Sequence, residues 1–168
     1  MLYTSTHFHP NGCVRKRLMT TIKNTAIRKQ ASTHSALWTG DLHLDQADRP
    51  RRKMLFDRIR STASNSLIIT GDVANARELV HHLTALAAAC WPRPCYFAPG
   101  NHDYYNSSIG DVTTVLEHLE DEVSNFHFLN GRIIPLGRDT CLIGHGGWAD
   151  ARAGDGRHRA NASKFLIS

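Results

Sequence analysis

The chain has 168 residues, the length of one domain. Its 41% hydrophobic and 21% charged residues are those of a globular protein. No apolar run approaches the roughly 20 residues of a membrane helix, and no compact apolar stretch of the secretory kind opens the chain. The net charge is +5, but residues 1–40 hold Arg15, Lys16, Arg17, Lys23, Arg28 and Lys29 and no acid, which leaves residues 41–168 at −1. A pI of 9.3 is therefore no argument for nucleic-acid binding by the body of the protein.

Residues 1–34 are rich in Thr, Ser, Asn and basic side chains and poor in large apolar groups. They cannot bury enough surface to offset chain entropy, so they are expected to form a disordered extension ahead of a domain spanning 35–168. The same composition also fits a mitochondrial transit peptide or a tail for an anionic surface. His7 and His9 are read as solvated.

From residue 35 onward, short apolar runs alternate with helical patterns. Ala36–Thr39 reads as a strand. A helix follows over 50–62, with Leu55 and Ile59 at helical spacing. The run Leu67–Thr70 is a short buried strand. The next helix has the clearest period, with Leu79, Val80, Leu83, Leu86, Ala87 and Cys90 on one face. Asn75 and Glu78 resemble a capping pair at its start, and Pro92 and Pro94 stop it. Cys95–Ala98 is the third strand. A third helix carries Ile109, Val112, Leu116, Leu119 and Val123 on one face. Three short strand candidates follow, Phe126–Leu129, Arg132–Leu136 and Thr140–Ile143, with turn signals at Asn130-Gly131 and Gly137. This βαβαβα order predicts an α/β protein with a largely parallel sheet.

The four cysteines, Cys13, Cys90, Cys95 and Cys141, contain no CxxC pair. They read as free thiols in a reducing compartment, and the cytoplasm is the expected location. Cys90 and Cys95 flank a proline-containing turn that lets them approach each other. On this reading the sequons at Asn106 and Asn161 carry no glycan.

Polar motifs sit directly after the first three strands: Asp41-Leu42-His43, then Gly71-Asp72, then Gly100-Asn101-His102-Asp103. In a parallel sheet all three leave from the same edge, where ligands bind in open α/β sheets. Asp41 and His43 are expected to alternate along an extended strand end and so share a side. Asp72 is expected to bridge two ions, and Asn101 to add a neutral oxygen. Gly71 and Gly100 permit tight turns and close backbone approach. Two hard-to-borderline ions about 3.5–4 Å apart can activate a water and stabilise an in-line displacement at phosphorus. His102 next to Asp103 fits an acid oriented by a carboxylate.

The order D-x-H, G-D and G-N-H-[DE], each at a strand end, resembles the calcineurin-like metallophosphoesterases from about Trp38 to Asp103, with weaker similarity to Asp150. The segment Gly144-His145-Gly146-Gly147-Trp148-Ala149-Asp150 resembles a Gly-Trp-Asp segment of bacterial members. The resemblance implies an α/β/β/α sandwich that hydrolyses a phosphate ester with two divalent ions (Mn, Fe or Zn). Asp41 and His43 would hold the first ion, Asp72 would bridge, and Asn101 would hold the second. His102 would be the general acid, with Asp103 beside it.

The family pattern continues with an isolated His and then Gly-His-x-His. After Asp103 this chain offers His118, His127, His145 and His158, none in that pattern: position 147 is Gly where the second His would stand. His118 reads as a surface residue, His127 as structural and His158 as solvated. His81 and His82 lie far from the strand-end crevice. The expectation is thus an incomplete sandwich, the first sheet plus the start of the second: a truncated product, a fragment, or a chain completed by a partner or second copy. Two further readings stand beside the phosphoesterase: a non-catalytic binding module of the same fold, and a nucleic-acid binder working through the tail.

Overall fold

The computed structural model describes residues 34–146. The expected extension, apart from His34, and the positions Gly147–Asp150, His158 and Asn161 lie outside these residues. His34 places Nε2 2.9 Å from the Ser66 hydroxyl.

Four strands, β1 (Ala36–Thr39), β2 (Ser66–Thr70), β3 (Cys95–Ala98) and β4 (Phe126–Phe128), form a parallel sheet in the order β1-β2-β3-β4. The connections are α1 (Arg49–Ser61), α2 (Ala76–Cys90) and α3 (Ile109–Glu122). Each strand pairs with the one before it, so right-handed crossovers put all three helices on one face. Accordingly α1 contacts α2, and α2 contacts α3.

Pairing register explains which side chains are enclosed. Leu37, Leu67, Cys95 and Phe126 lie in one row, and Thr39, Ile69, Phe97 and Phe128 in another. Apart from Leu37 and Thr39 on the edge strand, these are buried against Leu79, Leu83 and Leu86 of α2 and Leu116 and Leu119 of α3. The alternate row, Trp38, Ile68, Tyr96 and His127, faces the other way. Trp38 is 70% exposed there. The second sheet is an antiparallel pair, β5 (Arg132–Pro135) and β6 (Cys141–Gly144). Its Ile133 and Ile143 stand opposite each other and are both about two-thirds exposed.

Helix starts follow local chemistry. Asp48 caps α1, its carboxylate accepting from Arg51 N, with Pro50 in the first turn. Asn75 caps α2, accepting from Arg77 N. The expected reciprocal bond from Glu78 is replaced by a contact with His82, 3.4 Å away on the next turn. No helix among the described residues is long and apolar enough to cross a membrane.

Candidate metal centre

Three loops leave the carboxyl ends of β1, β2 and β3, and they are tied to one another by backbone bonds. Asp41 N donates to Gly71 O (3.2 Å), and His43 N to Asp72 O (2.9 Å). The closest approach is between Gly71 and Gly100. A Cβ on Gly71, where φ is +71°, would lie 2.3 Å from Gly100 N, and a Cβ on Gly100 would lie 2.4 Å from Asp72 Oδ1. Side chains there would push the loops apart and displace the Asp72 carboxylate.

The geometry brings Asp41, His43 and Asp72 together, with ligand atoms all within 4.8 Å of one another. It does so differently from the expected alternation along an extended strand. The strand ends at Thr39. Asp41, His43 and Asp72 take φ of 51°, 42° and 54°, all left-handed. Non-glycine residues seldom adopt that region, and when they do in a cluster the surrounding structure must hold them there. The cross-loop amide bonds supply that hold. Asp72 Oδ1 also accepts from His102 N at 2.8 Å. Asn101 is exposed, its amide bonded to the Tyr105 hydroxyl at 2.7 Å.

The carboxylate beside His102 is that of Asp45, where Asp103 was expected. Asp103 is fully buried and turns the other way. It accepts from Gly100 N and Asp72 N (both 2.8 Å), Val73 N (2.8 Å) and Ala74 N (3.3 Å). Burial pushes its carboxyl above the ordinary value, and the four amides pull against that shift. Asp103 is thus a clamp on the loops and does not touch the His102 ring. Asp45 Oδ2 lies 3.1 Å from His102 Nε2 and accepts from Asn75 Nδ2 at 2.8 Å. Burial raises the Asp45 carboxyl, but the bonds from His102 and Asn75 outweigh it and hold it below its ordinary value. A carboxylate only accepts, so the shared proton sits on Nε2. The His102 ring stands edge-on to His43, with centroids 4.5 Å apart.

Asp45 was missed as a site residue because its role depends on the approach of Asn75 and His102, far away in sequence. Its one local signal is position, a further carboxylate two residues beyond His43 at a strand end. Arg51 is a second addition. It lines a crevice of about 480 Å³ beside Asp41 and His43. His118 and His145 are exposed, and His127 pairs with Glu120 at 3.8 Å.

No curated protein matches the chain. A family model described as calcineurin-like phosphoesterase matches residues 34–163. That match spans most of the chain and includes all three strand-end loops, and on it the protein belongs to the calcineurin-like phosphoesterase family.

Proposed function

We propose that the chain is a metal-dependent phosphoesterase, hydrolysing a phosphate ester at a centre of two divalent ions. The observation that carries this is the meeting of Asp41, His43 and Asp72 beside His102 in a chain of this family. The residues fit such ions. Carboxylates from two loops share a space with His43, whose Nδ1 is buried without a hydrogen-bond partner. Asp41, His43 and Asp72 would hold one ion, and Asp72 with Asn101 the other; Mn, Fe and Zn all suit these donors. When bound, the ions supply an activated water and charge stabilisation at phosphorus.

The chain's own residues supply positioning and a proton. Asp45 holds Nε2–H of His102, which leaves Nδ1 to carry the proton given to the leaving oxygen. His102 N fixes one oxygen of Asp72. Arg51, at the crevice, offers a guanidinium to substrate phosphate oxygens. The thiols of Cys90 and Cys95, buried side by side, suit a reducing compartment, and we place the protein in the cytoplasm. Exposed Trp38, Ile133 and Ile143 support a partner or second copy over the second sheet.

Among the described residues the first ion would have three protein ligands and the second two. Loosely held ions position an attacking hydroxide poorly, and a displacement of about 1 Å can cost roughly 100-fold in rate. Purified chain with excess Mn²⁺ is therefore expected to turn over p-nitrophenyl phosphate or its diester slowly, and Asp72→Ala to abolish that turnover. Turnover unchanged by Asp72→Ala would refute the site. Ion binding without turnover in the unmutated chain would favour the non-catalytic module instead.

A further inference from the structure

The centre contains two overlapping donor sets. One is Asp41, His43 and Asp72. The other is His43, Asp45 and His102, whose ligand atoms also lie within 4.8 Å of one another. The catalytic reading uses Asp45 and His102 only as a hydrogen-bonded pair, which leaves part of this second set unaccounted for. The Asp45 side chain is 7% exposed. Its Oδ2 is engaged by His102 and Asn75, yet Oδ1 is buried with no hydrogen-bond partner. Nδ1 of His43 is buried in the same condition. Unsatisfied polar atoms on two neighbouring, enclosed ligand-type side chains are what a missing cation would leave behind.

We propose that His43, Asp45 and His102 form a second, alternative cation site, selective for borderline ions such as Zn²⁺ and Co²⁺. Two imidazoles and one carboxylate make a nitrogen-rich donor set. The first set, with two carboxylates and the nearby Asn101 amide, is richer in oxygen and suits harder ions such as Mn²⁺. Ligands held about 2.0–2.2 Å from one ion lie about 3.0–3.5 Å apart. His102 Nε2 and Asp45 Oδ2, at 3.1 Å, already have that spacing, and His43 lies within 4.8 Å of both and has to move in. A bound ion takes the place of the Nε2 proton, which leaves to solvent. His43 belongs to both sets, so a cation here competes with the first ion for its ring. It also leaves His102 Nδ1–H on a neutral, metal-bound imidazole, a far weaker acid than an imidazolium, so it would inhibit proton donation. That consequence rests on the phosphoesterase reading; the binding itself does not.

Co²⁺ is the probe, added to the full chain and followed by equilibrium dialysis and visible absorption. Asp41→Asn weakens the first set by removing one of its two charged donors, and it suits a left-handed residue, since Asn tolerates that conformation. It is expected to retain one Co²⁺ with the absorption of an imidazole-ligated ion. Adding Asp45→Asn is expected to weaken that binding about 10-fold or more, and adding His102→Gln to do the same. If the Asp45 variant loses its folded circular dichroism, the His102 variant decides, because it keeps the Asp45–Asn75 bond. Asp41→Asn binding no Co²⁺, or either double variant binding as tightly as Asp41→Asn alone, would overturn the proposal. Phosphoesterase activity absent while these Co²⁺ results hold would sink the catalytic reading and leave the cation site standing.

Discussion

Four backbone amides converge on the carboxylate of Asp103, and they come from two different loops. Truncating that side chain strands all four donors in a buried place, where each unpaired group is costly. Asp103→Ala is expected to destabilise the fold by about 3 kcal/mol or more, read as a lowered denaturation midpoint, and to weaken ion binding with it. A midpoint shift near zero would show that the loops hold together without the clamp. The contrast between Asp103 and Asp45 marks the limit of legibility at this scale. The spacing of Asp41, His43, Asp72 and His102 after apolar runs shows which side chains reach the sheet edge. Which neighbouring carboxylate turns toward His102 is decided by where the amides of Asp72, Val73 and Ala74 point, and those amides belong to a loop about 30 residues earlier in the chain. The left-handed turns at Asp41 and His43 are likewise imposed by bonds to Gly71 and Asp72 across the sheet.

At the level of elements, Arg93 joins the ends of α1 and α2. Its guanidinium donates to Ile59 O, Thr62 O, Ser64 Oγ and Cys90 O. Arg93→Ala is expected to cost about 2–3 kcal/mol, measured by urea denaturation, since charge-assisted bonds to three carbonyls and a hydroxyl are lost together. A change under about 0.5 kcal/mol would mean that water replaces it fully. On α2, His82 is buried beside Glu78 and beneath Arg52 and His81. Burial holds its imidazole below the ordinary 6.5, with Glu78 opposing and His81 and Arg52 assisting. The unfolded chain therefore binds this proton at a higher pH than the folded one. The stability His82 contributes is complete above pH 6.5 and is lost as pH falls through the lower folded value. The slope is at most about 1.4 kcal/mol per pH unit. His82→Leu should flatten the stability profile in that acid window, and an unchanged profile would assign the pH dependence to other groups. The second and third helices were legible because their apolar periods are long and start at caps, Asn75 and Ser108, while the first rested on Leu55 and Ile59 alone. The strand ends were less so: a run such as Thr140–Ile143 does not reveal that pairing shifts it to Cys141–Gly144, where Gly144 lies against Leu129 too closely for any side chain.

Across the whole molecule, the alternation of α and β runs was enough to foresee a parallel sheet, because a short strand followed by a crossover helix has few other ways to bury both. The orientation of Trp38, Ile68, Tyr96 and His127 away from the helices follows from the pleat once the register is known, and register depends on partners remote in sequence. The strand order has a consequence for how the chain acquires its form. Because each strand lies next to its predecessor, no strand waits for a later one to be inserted beside it. During synthesis the sheet can lengthen strand by strand from its amino end, with loops short enough to close quickly. The polar edge matures on a different schedule: Asp41 and His43 emerge first, but the amide clamp of Asp103 and the ring of His102 arrive only after the third strand has docked. A nascent chain can thus hold most of its apolar interior before it offers a complete grip on any ion.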